Sequence, residues 1–173
     1  MSDDPVTRIL SAIERLRAEV LARIDRLGSV SSGHQDLVPE VVAHIQNVGD
    51  VEGRLGDWIG DRHSGRWIEG FRIMPPQNVA SEELLYRVVI GRDQLSPWSL
   101  SGRFCGSEGL ALPLRGFCLS LRGQAAANYE CSYAATFVDG SMIGLTPGGQ
   151  TCAAATFAPL EAFQINLRRT LAR

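Results

Sequence analysis

The sequence predicts an all-β repeat domain preceded by one N-terminal α-helix. Three observations carry that expectation. A six-residue strand pattern returns twice at a fixed interval, a second spacing recurs in the same register, and an apolar stripe at helical spacing lies near the start of the chain.

The strand pattern reads Ile68-Glu69-Gly70-Phe71-Arg72-Ile73, then Leu114-Arg115-Gly116-Phe117-Cys118-Leu119, then Leu160-Glu161-Ala162-Phe163-Gln164-Ile165. Phe71, Phe117 and Phe163 are each 46 residues apart. Each copy runs aliphatic, charged, tiny, Phe, variable, aliphatic, and a period of this length is the signature of a repeat architecture. Strand alternation places Phe71 and Ile73 on one face, as it does Phe117, Leu119 and Leu121, and Phe163, Ile165 and Leu167. These residues are expected to share one core. Gly70, Gly116 and Ala162 fall on the opposite face, where a tiny side chain admits another strand or a ligand at close range.

The second spacing supports the register. Tyr86, Trp98 and Gly102 are twelve and four residues apart, and Tyr133, Leu145 and Gly149 repeat that interval. In the first copy Trp58 stands thirteen residues before Phe71, so this copy is read as the shorter one between its tryptophan and its closing strand. Turn signals fall at Gly49-Asp50, Gly60-Asp61, Ser101-Gly102, Asp139-Gly140 and Pro147-Gly148-Gly149. One such repeat cannot bury its own apolar face, so three must close together. The expected domain, residues 37–173, holds repeats at about 37–76, 80–123 and 127–169. A pseudo-threefold β-prism suits the long closing strand, and a β-trefoil is the alternative.

Residues 1–28 are read as an amphipathic helix. Asp3 and Asp4 set negative charge at its positive end, Pro5 suits the first turn, and Gly28 ends it. Ile9, Ile13, Leu16, Val20 and Leu27 form a near-heptad seam, expected to serve oligomerisation or attachment. Its helical stretch, residues 5–27, spans roughly 34 Å at about 1.5 Å per residue and is marginal alone, so its stripe needs a partner. Residues 29–36 are small and polar and read as a flexible linker.

Composition excludes several classes. With 45% hydrophobic and 21% charged residues the chain is in the globular range, and a net charge of −2 argues against a dedicated nucleic-acid binder. No apolar run approaches the length of a membrane span, and the first residues carry no secretory pattern, so synthesis in the cytoplasm is expected. Cys105, Cys118, Cys131 and Cys152 form no CxxC pair, which leaves free thiols as the expectation and two disulfides as the alternative. No metal or cofactor is expected.

Few residues combine in a catalytic pattern. Asp61, His63 and Ser64 offer the residue types of a hydrolase triad, but neighbours in one short loop do not readily form one. Glu82-Glu83 is a weak acid/base pair for the same reason. Trp58, flanked by Asp57 and Asp61, and Trp98, preceded by Arg92 and Asp93, are the candidate ligand-binding residues. An indole face can stack on a sugar ring while charged neighbours hold its hydroxyls; the competing reading places both indoles in the core.

At these residues the chain resembles the clostridial hydrophobic, tryptophan-bearing (ChW) repeat family. The first copy supplies His44-Ile-Gln-Asn-Val-Gly49, Trp58 and the close at Ile68, and the second supplies Tyr86-Arg-Val, Trp98, Gly106-Ser-Glu-Gly109 and the close at Leu114. The third supplies Tyr133 and Leu160-Glu-Ala-Phe-Gln-Ile165, with Leu145 where a tryptophan would stand. The resemblance implies a cell-surface binding role towards polysaccharide. The expectation is therefore a non-catalytic module for a cell-surface glycan or capsular polysaccharide. It is expected on the surface of a phage or phage-like particle as a spike or fibre component, joined to itself or to capsid or tail proteins through the helix. A decoration or scaffold protein that binds only other proteins is the alternative, and a small hydrolase the third.

Overall fold

The computed structural model describes residues 39–170, which fall within the second of two compact units, Pro39–Arg173. The helix expected at 1–28, with Ile9, Ile13, Leu16, Val20 and Leu27, and the linker lie outside the described residues.

Thirteen strands and one short helix follow in order: β1 (Val41–Ile45), β2 (Gly49–Gly53), β3 (Trp58–Ile59), β4 (Ile68–Ile73), β5 (Leu84–Ile90), β6 (Gln94–Leu95), β7 (Ser99–Leu100), β8 (Cys105–Gly106), β9 (Leu114–Leu121), α1 (Gly123–Asn128), β10 (Tyr129–Phe137), β11 (Met142–Pro147), β12 (Cys152–Ala153) and β13 (Leu160–Arg169). They form three antiparallel sheets. The first is ordered β2-β1-β4-β8, the second β12-β9-β5-β6 with β7 also on β5, and the third β11-β10-β13-β3.

Each sheet takes its short outermost strand from another copy. β3 leaves the first copy to pair with β13 of the third, β8 leaves the second to pair with β4 of the first, and β12 leaves the third to pair with β9 of the second. The exchange closes a ring, so no copy is complete without the other two. It also explains the tiny residues. A Cβ on Gly116 would overlap the Cys152 carbonyl of the incoming strand, and one on Gly60 would stand 3.0 Å from the Ala162 Cα. The close approach admitted by Gly70, Gly116 and Ala162 is that of a strand.

Inner faces converge as the alternation requires. Phe71, Phe117 and Phe163 are fully buried and touch in a triangle, with ring centroids 5.8, 5.3 and 5.0 Å apart. Ile59, Cys105 and Cys152, which face these three rings from the exchanged strands, belong to the same core. Tyr86 packs on Phe71 and Tyr133 on Phe117. Each tyrosine hydroxyl accepts a closing-strand N–H, of Ile73 or Leu119, and donates to the carbonyl of Arg103 or Gln150. Val41 holds the equivalent place in the first copy.

This register corrects the reading of the first tryptophan. Gly56, Gly102 and Gly149, all at positive φ, donate equivalent N–H bonds to Ile165, Ile73 and Leu119. Counting from them, Trp98 corresponds to Leu145 and to Glu52, whereas Trp58 corresponds to Phe104 and Thr151. The first copy is therefore not shortened after its tryptophan; Trp58 sits on an exchanged strand and Trp98 does not.

Candidate functional site

Most buried polar groups have structural partners. Glu161, 2% exposed, accepts the N–H of His63 at 2.9 Å and of Gly65 at 2.8 Å. Glu69 accepts Ala111 N–H at 3.2 Å, and Arg115 donates to the Phe157 carbonyl. These side chains hold the same position in the three closing strands, and each fixes a loop of another copy. Each fixed loop carries one non-glycine residue at positive φ: His63 at 68°, Ala111 at 54° and Phe157 at 57°. The repeat tolerates a change of sign because glutamate accepts from N–H groups whereas arginine donates to a carbonyl.

The residues of the hydrolase-like loop do not assemble into a triad. The Ser64 hydroxyl accepts Arg66 N–H at 3.2 Å, and among the described residues no hydrogen bond joins the His63 side chain to Asp61 or Ser64. His44 Nδ1 lies 2.7 Å from Asp50. Glu83 accepts the Gln124 N–H at 2.7 Å and so fixes the start of α1, a helix absent from the sequence reading. All four thiols are free. Cys131 lies half-buried beside Cys118, and burial, aided by that neighbour, pushes its thiol up to about 12. Among the described residues no group of side chains could hold a metal ion, and no helix is long and apolar enough to cross a membrane.

The two tryptophans stand on different sheets. Trp98 lies between β6 and β7 at the second sheet, 36% exposed, with the Arg87 guanidinium 4.3 Å from its ring centre. Arg92 and Asp93 are exposed in the preceding hairpin turn, Asp93 at φ 59°. Trp58 is half-buried on β3 at the edge of the third sheet, with Arg62 4.9 Å from its ring centre. Asp57 accepts Arg54 N–H at 3.3 Å, and Asp61 is exposed in the following loop. The candidates thus form two separate groups.

The third sheet adds residues that the sequence reading missed. Ile59 points into the core, so its neighbour Trp58 points outward, opposite Gln164. The same outer face carries Ser132 opposite Asn166, Ala134 opposite Gln164, and Glu130 opposite Arg168. Ser132, Gln164 and Asn166 are half-buried, and Gln164 donates to the Gly56 carbonyl at 2.6 Å. Thr136, further along β10 on the same face, has a buried hydroxyl without a partner. Ser132, Gln164 and Asn166 therefore leave one hydroxyl and two amides half-exposed on a strand pair with an indole at its edge, while Ala134 and Thr136 are buried. At the other end of this face a groove of about 490 Å³ opens beside Glu130, Ser132, Leu145 and Arg168. A second cavity of about 340 Å³ lies between the His63 loop and the Asp139-Gly140 turn.

Strand alternation alone places these residues on one face, but only the long-range pairing of β3 with β13 brings Trp58 to it. Comparison of the chain with protein-family models, with curated proteins and with solved structures found no match.

Proposed function

We propose that this chain is a non-catalytic binding module for a cell-surface polysaccharide, built as a three-sheet β-prism. The observation that carries the reading is the outer face of the third sheet, where Trp58 stands opposite Gln164 at the edge and Asn166 and Ser132 follow as a cross-strand pair on the same face. An indole offers an apolar plane to the C–H face of a sugar, and amides and hydroxyls both donate and accept towards its hydroxyls. A prism is favoured over a trefoil by the three separate sheets and their exchanged strands. The resemblance to tryptophan-bearing surface repeats points the same way. Single sites of this kind bind weakly and gain by display in several copies, which suits a spike or fibre on a phage-like particle with residues 1–28 as the attachment element.

A second reading, a scaffold that binds only other proteins of an assembly, is favoured by Leu110 and Leu112, which stand 66% and 55% exposed between β8 and β9. An array of bacterial capsular and cell-wall polysaccharides, probed with the full chain, separates the two. The polysaccharide reading expects retention on at least one sugar chain, reduced tenfold or more by Trp58→Ala in protein that still melts cooperatively. Retention on none would overturn it in favour of the scaffold.

A further inference from the structure

We infer that the groove at the end of the third sheet is a second saccharide subsite, one that takes a neutral sugar. The inference rests on the polysaccharide reading and names where, and with what chemistry, the chain is held beyond Trp58.

The groove lies where the second and third copies meet. Its lining includes Ser120, Tyr129, Glu130, Ser132, Leu145 and Arg168, with Ala126 of α1 as part of one wall. At about 490 Å³ it falls within the roughly 300–1,000 Å³ typical of small-ligand sites. Glu130 and Arg168 are direct cross-strand partners, both exposed, and among the described residues no ion pair joins them. One contributes two acceptor oxygens and the other a planar fork of donors. Ser120 and Ser132 add hydroxyls, while Tyr129 and Leu145 add apolar surface, Leu145 being 72% exposed.

The second copy shows what the same pair does elsewhere. Shifted by one repeat, Glu130 and Arg168 correspond to Glu83 and Arg122. There Glu83 is bonded to the first turn of α1, and its carbonyl accepts the Arg122 N–H at 2.8 Å. Leu85, buried, stands where the third copy has Ser132. The third copy thus keeps the charged pair, leaves the glutamate side chain without the helix bond that Glu83 makes, and sets a hydroxyl beside it.

Charge narrows the ligand class. One carboxylate and one guanidinium side by side make a lining with no net charge. A uronate or phosphate drawn to Arg168 would be repelled by Glu130, and an amine drawn to Glu130 would be repelled by Arg168, so neither gains from the pair as a whole. A hexose or N-acetylhexosamine can use both, accepting from the guanidinium and donating to the carboxylate. Gln164 and Arg168 are four residues apart on β13, roughly 13 Å at about 3.3 Å per residue, so one extended sugar chain can lie along the face from Trp58 to the groove.

The test is amide NMR of the full chain titrated with glucose, galactose, N-acetylglucosamine and glucuronic acid, alongside polysaccharide retention by wild type, Trp58→Ala and Arg168→Ala. At least one neutral sugar is expected to shift the amides of Tyr129–Ser132, Leu145 and Arg168, with glucuronic acid shifting them less. Arg168→Ala, an exposed change, is expected to weaken polysaccharide retention about tenfold without altering the melt. Shifts confined to the surroundings of Trp58 or Trp98, no shift with any neutral sugar, or full retention by Arg168→Ala would overturn the subsite. If wild type still retains polysaccharide in those cases, the broader reading stands. If wild type retains none, both fall.

Discussion

The second and third sheets share an inner face and differ on the outer one. Inside, Tyr86 and Phe117 face the core from one sheet, and Tyr133 and Phe163 from the other, with the same tyrosine hydroxyl bonds. Outside, the second sheet pairs Leu85 with Ser120, Arg87 with Cys118 and Val89 with Gly116. Leu85, Val89 and Cys118 are buried there, and Trp98 lies against Arg87. The third sheet instead pairs Ser132 with Asn166 and Ala134 with Gln164, and its Leu145 stands exposed where the second has Trp98. Closure around three contacting rings constrains the inner positions of every copy together. An outer position answers only to its own sheet, and is free to take on binding.

The largest effect is expected from cutting the inner face that the sheets share. Phe117→Ala removes one side of the ring triangle and is expected to cost about 3–5 kcal/mol, affecting every sheet. Urea unfolding should show one cooperative transition at lower denaturant. Loss of the second sheet alone, with the third intact, would mean that the copies are independent after all.

Next in size is Glu161→Ala, which leaves the His63 and Gly65 N–H groups without their acceptor and is expected to cost about 3 kcal/mol. Arg115→Ala, which removes one bond to a part-buried loop carbonyl, is expected to cost about 1 kcal/mol. Equal costs measured by chemical denaturation would contradict the account of the sign change between copies.

A smaller effect separates the inner tyrosines from ordinary ones. Burial pushes Tyr86 up to about 12 and Tyr133 upward as well. The unfolded chain then loses these protons at lower pH than the folded one. The Tyr86 contribution is complete below the unfolded value of 10.0 and is lost as pH rises towards 12, and that of Tyr133 has the same sign. Spectrophotometric titration should show two tyrosines that ionise late, and melting temperature should fall over that alkaline window. Tyr133→Phe should lose about 1 kcal/mol at neutral pH and flatten the alkaline fall.

Much of the inner face was legible in the sequence, because period two and period 46 are both local in kind. Phe71, Phe117, Phe163 and their aliphatic partners could be placed by counting. The strand exchange was not legible. β3, β8 and β12 are two residues long, and the pairing of Trp58 with Gln164 spans most of the domain. For that reason Trp58 and Trp98 looked alike in sequence and occupy different positions in the fold. The outer face of the third sheet was hidden for the same reason. Gln164 and Asn166 become a candidate site only when Trp58 is delivered to their edge. α1 was missed because six residues give too short a period to read, and its start depends on Glu83 from β5's approach.

Whether binding resides on the polar outer face of the third sheet is decided by polysaccharide retention of the Trp58→Ala, Arg168→Ala double variant of the full chain. The account predicts that retention falls to background while the late-ionising tyrosines, which report the inner face, are unchanged. Undiminished retention by a double variant with that intact core would contradict it.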